Sequence, residues 1–476
     1  MIRSKIDEIR LLRTTNFKRP TTSSYLSNNR NVNVQYLNRH NNAQYARKPV
    51  ADIGSTAKTP NSLKVSTNFT PESSKSHLMS TLTFSSKTPS KLRSSFPYPS
   101  QDFLNKFKSL LNKHEAIEIL DYFTVYYWGK SEKSGHLLTF NDENGYFLCW
   151  ENDHIAYKYQ IIRVLGKGNF GQVFEALDHK DKSKVAIKIV KSHKKFMSQA
   201  HNEINILKIL RDSAVGKETF CVELKDYFVF RGHICIVTEL LGQNLLEVIK
   251  SEECKGDHLD FVRGVTGQIL EALKVLRKLR IIHCDLKPEN VLRFSSSQVK
   301  VADFGSSCLV SEKYFGYIQS RNYRSPEVVL GCPFDYQIDI WSLGCVVFEL
   351  VTGDLLFKPS SELELLHQIQ FLRGEIPSCL LQTSSKYPQF FTSNTLIPLL
   401  PNPCSSCSCS ALNSPFQALP NDPLLLDFLQ SCLTIDPKSR ITANQALSHP
   451  WIHQTVPPKT RIAKHLKLKP LITPCL

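Results

Sequence analysis

The sequence predicts an α+β chain of two lobes, one β-rich and the next α-helical, behind a disordered N-terminal tail. Three observations carry this. Short apolar strand patterns separated by Gly-rich or charged turns occupy 161–190. Helix patterns stand at about 197–211 and 260–280 and helical spacing dominates from 284 onward, so a cleft is expected between a strand-rich and a helix-rich unit. The charge is uneven: of a formal +16 over 476 residues, residues 1–100 hold 16 Lys/Arg against 4 Asp/Glu.

That first stretch is also 38 Ser, Thr and Asn in 100 residues, too polar to offset the entropy of ordering. It reads as a disordered basic tail over 1–100. A solvated tail is the plainest reading; contact with RNA, an acidic surface or an import receptor is the alternative. The uneven charge excludes a uniformly basic nucleic-acid coat, and no aromatic interleaving or folded RNA module accompanies the tail. The 41% hydrophobic content excludes a wholly disordered chain. No run of 18 or more apolar residues exists, and the first 30 residues have no apolar signal core, so neither a membrane span nor secretion is expected. Fourteen cysteines in so long a chain read as reduced thiols, which points to the cytosol or the nucleus.

The segment 101–158 is ordered but without chemistry of its own. Phe103, Leu104, Phe107, Leu110 and Leu111 recur at helical spacing. The run Tyr122 to Trp128 reads as extended, and Asn144-Gly145 as a turn. Strand patterns follow at Ile161–Leu165, Gln172–Leu177 and Val185–Val190, then helix patterns at about 197–211 and 260–280. Residues 375–420, with seven prolines and many serines, read as an irregular insertion before a helical run from Asp422. Cys404, Cys407 and Cys409, with Cys379, raise zinc, but no second CxxC stands at zinc-finger spacing. The end of the chain, 454–476, is a basic tail.

Gly166-Lys167-Gly168-Asn169-Phe170-Gly171 follows a strand and could bring backbone amides to phosphates, or could be only a tight hairpin. A second strand follows where a dinucleotide fold needs a helix, so a hairpin lid is favoured. Lys188 lies 17 residues beyond Gly171, where an ammonium could neutralise phosphate charge, and Glu203 in the next helix could hold it. His283-Cys-Asp285-Leu-Lys287-Pro-Glu-Asn290 is a polar loop between apolar flanks. Asp285 could orient a hydroxyl, Lys287 balance a transferred phosphoryl group, and Asn290 bind a metal. Asp303, before Phe304-Gly305, suits Mg²⁺. Any one of these has a bland reading as an edge lysine, an exposed glutamate or a surface loop; all of them in this order do not.

Together they resemble a eukaryotic protein kinase domain over 159–453, with Ser325-Pro326-Glu327, Asp339-Ile-Trp341 and Arg440 at further signature positions. His283-Cys284-Asp285, Asp303 to Cys308 and Tyr317-Ile-Gln-Ser-Arg321-Asn-Tyr323-Arg324 resemble the DYRK family, the dual-specificity tyrosine-regulated kinases. Ile119 to Tyr122 and Asp153 to Tyr157 resemble the class with an upstream accessory region. The resemblance implies a bilobal kinase fold and an ATP- and Mg²⁺-dependent enzyme acting on Ser/Thr of protein substrates, as a monomer. It implies ATP contacts from Leu165, Gly166, Lys167, Gly168, Asn169, Phe170, Gly171, Val173, Ala186, Lys188, Glu203, Thr238, Glu239, Leu240, Leu241, Asn290 and Asp303, with Asn290 and Asp303 on the metal. It implies catalysis by Asp285 and Lys287, self-phosphorylation at Tyr317 and a preference for Ser/Thr-Pro with arginine upstream. On that preference Thr59, Thr70 and Thr88, each before a proline, are candidate sites in the tail. The chain departs from the family at Thr238, where a bulky phenylalanine is usual, so a pocket behind the adenine is expected to be open, and at Asn322, where the family has phenylalanine beside the substrate site. The rival from another class is a pseudokinase scaffold that binds without turnover.

Overall fold

The computed structural model describes residues 96–130, 139–213, 218–251, 259–312, 317–393, 395–397 and 414–454. Most of the tail read as disordered, Cys404, Cys407, Cys409 and the basic C-terminal tail lie outside these residues.

The accessory region builds a small core of its own. Strand β1 (Tyr98–Pro99) pairs with β2 (Thr124–Val125), and helices α1 (Ser100–Phe107) and α2 (Lys113–Glu118) lie between them in the chain. Asn112 starts α2 with a capping box, its side chain accepting from the Glu115 amide at 2.8 Å. Phe103, Ile119, Val125, Trp128 and Tyr157 pack together with almost no exposure. Tyr157 comes from the first turn of the next lobe, so this core ties the two regions. A second tie is ionic: Arg231 grips Glu118 through Nε and Nη2, the latter at 3.0 Å.

The N-lobe is one antiparallel sheet of six strands. In spatial order they are β3 (His154–Ile155), β4 (Tyr159–Gly168), β5 (Gly171–Asp178), β6 (Ser183–Val190), β8 (His233–Glu239) and β7 (Leu224–Phe230). One long helix, α3 (Lys194–Ser213), follows β6 and buries Ala200, Ile204, Leu207 and Leu210. The β7–β8 hairpin did not register in the sequence. Lys225 and Asp226 break the apolar run, and the turn that makes it is Arg231-Gly232, with φ of +49° and +82°.

The C-lobe starts with α4 (Leu245–Lys250) and the amphipathic α5 (Leu259–Lys278). Two small ladders frame the cleft floor: β9 (Ile281–Ile282) with β12 (Cys308–Leu309), and β10 (Val291–Arg293) with β11 (Val299–Val301). After the short α6 (Pro326–Val329) comes α7 (Gln337–Thr352), which buries 14 of its 16 residues and is therefore a core helix rather than a surface one. Then follow α8 (Glu362–Arg373), α9 (Ser378–Thr383), α10 (Tyr387–Phe390), the β13–β14 hairpin (Phe391–Thr392 with Thr395–Leu396), α11 (Pro423–Cys432), α12 (Ala443–Leu447) and α13 (Pro450–His453). The stretch read as irregular is therefore partly regular. Leu380, Phe390, Phe391 and Leu396 join the main core, so their apolar burial outweighs the proline and serine content around them. Among the described residues no helix is long and apolar enough to cross a membrane.

Candidate active site

The lid is a hairpin, as its second strand predicts. Gly168 pairs with Gly171 across a turn holding Asn169 and Phe170. A Cβ on Gly171 would run into the carbonyl of Ile189, so that glycine serves close strand packing. A Cβ on Gly166 or Gly168 would meet no protein atom, so those two keep open space beside the lid. Phe170, at the tip, touches Phe196 edge-on with centroids 5.8 Å apart. Lys167 and Leu165 are exposed on β4, while Val173 on β5 stands opposite Lys188 in the ladder.

Lys188 binds two carboxylates at once. Its Nζ lies 2.9 Å from Glu203 Oε2, on α3, and 2.9 Å from Asp303 Oδ1. Burial works against the ammonium, but Asp303 and Glu203 outweigh it and hold it charged above its usual range. The Lys188 charge draws the Asp303 carboxyl down to about 2, and burial pushes Glu203 up. Asp303 sits at φ +58°, a strained setting for a non-glycine residue that turns its side chain to the lysine. Phe304 behind it is fully buried, and α3 holds the same loop through Gln199 to the Gly305 carbonyl (2.8 Å) and Asn202 to the Ser307 carbonyl (2.6 Å).

Across the cleft the loop after β9 is braced from within. Asp339, at the start of α7, accepts the amides of His283 and Cys284 at 2.8 and 3.0 Å. His283 reaches the Ala302 carbonyl at 3.1 Å. Cys284 is fully buried at φ +64°, its sulfur 3.6 Å from that of Cys308. These braces fix Asp285, whose Oδ2 meets Lys287 Nζ at 2.7 Å. Its Oδ1 accepts the amide and the hydroxyl of Ser320 at 3.0 and 2.8 Å, and the same hydroxyl contacts Lys287 at 3.0 Å. Asn290 spends its NH₂ on the Asp285 carbonyl at 2.8 Å, which leaves its amide oxygen as the available ligand atom.

At the far end of the cleft, Thr238 faces Ala186 across the β6–β8 ladder, and Leu240 and Leu241 continue past the sheet. The carboxylate of Glu239 is committed elsewhere, to Lys300 at 2.7 Å and to the Glu223 amide at 2.8 Å, so only its backbone is left for a ligand. Tyr317 is 70% exposed, and the Arg324 guanidinium lies 3.7 Å from its ring centroid. Slight burial raises the phenol, but Arg324 and Arg321 outweigh it and draw it below its usual value. Glu327 and Arg440, both almost fully buried, close a bidentate pair at 2.7 and 3.0 Å.

The expected residues thus stand on the lid, on β5, β6 and α3, at the end of β8 and just after it, in the loops after β9 and β11, and, for Tyr317, in the segment before α6. Sequence reasoning gave no role to Ser320, Gln319 or Tyr146. Ser320 was legible as part of the Gln-Ser-Arg segment, but nothing local announced its bonds to Asp285 and Lys287. Among the described residues no group of three or more His, Cys, Asp or Glu could hold a metal by itself. A cation here would share Asp303 and Asn290 with phosphate oxygens, the habit of Mg²⁺.

A family profile for the protein kinase domain matches residues 159–452. The chain is 42% identical to human dual specificity tyrosine-phosphorylation-regulated kinase 4 over 368 residues, 74% of this chain and 70% of that protein. It is 36% identical to human dual specificity tyrosine-phosphorylation-regulated kinase 3 over 414 residues, 80% of this chain and 70% of that one. It is 38% identical to the Drosophila melanogaster dual specificity tyrosine-phosphorylation-regulated kinase 2 over 383 residues, 78% of this chain and 53% of that protein. The chain belongs to the DYRK family. It is an ATP-dependent, dual-specificity protein kinase. As a DYRK kinase it takes proteins as substrates, and the scaffold reading without turnover is not favoured. Protein kinases of this family use ATP and Mg²⁺ in general.

Proposed function

We propose that this kinase transfers the γ-phosphoryl group of ATP to Ser/Thr-Pro sites, after phosphorylating its own Tyr317. The observation that carries the reading is the pair of linked networks: Lys188 held by Glu203 and Asp303, and Asp285 held by Lys287, Ser320 and Asn290. Phosphoryl transfer is mostly positioning and charge stabilisation, and these networks supply both. In this reading Gly166, Gly168 and Gly171 cover the phosphates and Lys188 pairs with them. Asn290 and Asp303 would hold Mg²⁺, which neutralises phosphate charge. Asp285 orients the substrate hydroxyl and takes its proton as oxygen attacks phosphorus. The bond to the bridging oxygen breaks, ADP leaves, and Lys287 stabilises the charge on the moving group.

Gln319 supports the proline preference. It stands at φ +60°, and its carbonyl is taken by Arg324 at 2.7 Å. It precedes Ser320, which touches Asp285, so the residue after the accepting hydroxyl passes this carbonyl. A substrate N–H would find no acceptor there, and proline has no N–H to lose. Peptides ending the motif in Ser-Pro should be turned over at least about ten-fold faster, in kcat/KM, than the same peptides with Ser-Ala, the scale of one unmet hydrogen bond. Equal rates would sink the preference.

Arg321 and Arg324 flank Tyr317, so a phosphate there would gain charge-assisted bonds in a loop that Cys284, lacking a cation, cannot pin. Mass spectrometry of wild type and Asp285→Asn tests both halves. Phosphate on Tyr317 in wild type alone is expected; phosphate in the variant, or none in active wild type, would overturn the self-maturation route.

A further inference from the structure

The accessory region reaches the lid through one side chain. Between Asn141 and Phe147 the chain makes a tight loop. Asp142 donates its amide to the Tyr146 carbonyl at 2.9 Å, and its side chain accepts the amides of Asn144 and Tyr146 at 3.0 and 2.8 Å. Gly145 takes φ +77°, and a Cβ there would meet His193 Nε2 at 2.8 Å. The loop is fastened to the N-lobe from behind. Asn141 lies 2.6 Å from His233 Nε2 and donates to Ser192 Oγ at 3.1 Å, and the Gly145 carbonyl accepts the Ser192 amide at 3.2 Å. From this fixed base Tyr146 reaches forward. Its hydroxyl donates to the carbonyl of Gly168, at the lid turn, at 2.9 Å. Its ring contacts two ammonium groups, Lys167 of the lid and Lys191 just beyond β6, each 3.9 Å from the centroid.

We propose that Tyr146 is a positioning residue for the nucleotide lid, so that the accessory region sets the affinity for ATP. A glycine hairpin packs against little, and Gly166 and Gly168 meet open space here. Such a lid loses conformational freedom when it closes on a ligand, and a bond that holds it beforehand lowers that cost. The hydroxyl holds the turn at Gly168, while Phe170 against Phe196 holds the tip, so the lid has one anchor on each lobe element that flanks it. The ring also lies between Lys167 and Lys191, a cation–π contact on each side, and the Lys191 amide donates to the Phe170 carbonyl at the lid tip at 3.0 Å. This inference rests on the nucleotide reading above.

The test uses the full chain with Tyr146→Phe, which keeps the ring and removes the hydroxyl. ATP and peptide kinetics are measured together with hydrogen exchange over 166–171. The KM for ATP should rise by about three- to ten-fold, the worth of one hydrogen bond. The kcat and the peptide KM should stay within about twofold, and the lid amides should exchange faster. Lys191→Met, which removes one ammonium from the ring and keeps the backbone bond to the lid, should give a smaller rise of the same kind. A KM for ATP unchanged in Tyr146→Phe, with unchanged exchange, overturns the proposal. So does a joint fall in kcat and Tm in Tyr146→Phe with no effect of Lys191→Met, which would make Tyr146 a packing residue. If the wild type itself binds no ATP, the nucleotide reading fails and this one with it; if it binds and the variant binds equally, only this one fails.

Discussion

Glu203 illustrates how a bland residue becomes a decisive one. In the sequence it is a helix glutamate; in the fold it is 5% exposed and both of its oxygens meet Lys188. Replacing it by glutamine keeps the shape and removes the charge that fixes the lysine. Glu203→Gln should lower kcat/KM by roughly 10- to 100-fold, the range for a hydrogen bond to a charged group. The Tm should change little, because Lys188 keeps Asp303. A variant with wild-type kcat/KM would show that Asp303 alone positions Lys188. The residues legible in advance were those with a chemistry of their own: the lysine, the carboxylates, the glycines. The roles of Ser320 and Tyr146 were not, because they rest on partners 35 and 22 residues away. Glu239 shows the reverse. It was expected at the hinge, and there it is, but its side chain serves Lys300 rather than the cleft.

Elements were legible where periodicity was strong. The strands around the lid and the helices α3 and α5 stand where their apolar spacing placed them. The β7–β8 hairpin and the regular pieces inside 378–396 did not show, because tertiary burial rather than local pattern makes them. The seam between accessory region and N-lobe has its own chemistry. His154 is buried with one nitrogen 2.8 Å from the Gly129 carbonyl. His179 stacks on Tyr127, and His233 lies beside Asn141. Burial lowers all three pKa values, His154 with help from Arg231 and His179 to about 4 with help from Lys182. Below about pH 6.5 the unfolded chain therefore takes up protons that the folded chain refuses. Stability from these groups is full above that pH and is lost as the pH falls toward about 4. The Tm should drop by at least about 1 °C between pH 7.5 and 5.5, as expected for about a kilocalorie in a unit this size, and His154→Gln should flatten the slope. A Tm independent of pH over that range would contradict the neutral histidines.

At the scale of the molecule, two lobes and a cleft could be read from the order of patterns alone, since strands followed by helices leave few other arrangements. The lock of the C-lobe, Glu327 paired with Arg440, came from the family resemblance rather than from any local pattern, and the structure closes that pair. Glu327 and Arg440 are 0% and 2% exposed, and the guanidinium also meets the carbonyls of Thr434, Ile435 and Gln337. Removing one partner leaves the other charge buried without compensation. Arg440→Met should cost about 3–5 kcal/mol, while Glu327→Gln with Arg440→Met together should recover part of it. Denaturant unfolding of Arg440→Met, Glu327→Gln and the double variant checks this, and additive losses would show that the two charges do not act as a pair.

The same pair has a consequence in time. Glu327 and Arg440 are 113 residues apart, so in a chain made from its N-terminus the acid leaves the ribosome well before its base. At about 5–20 residues per second that interval is on the order of ten seconds. Throughout it the stretch from Tyr317 to Glu327 holds its bonds to the earlier Asp285 and Lys287 but not yet the buried charge pair that closes the lobe behind it.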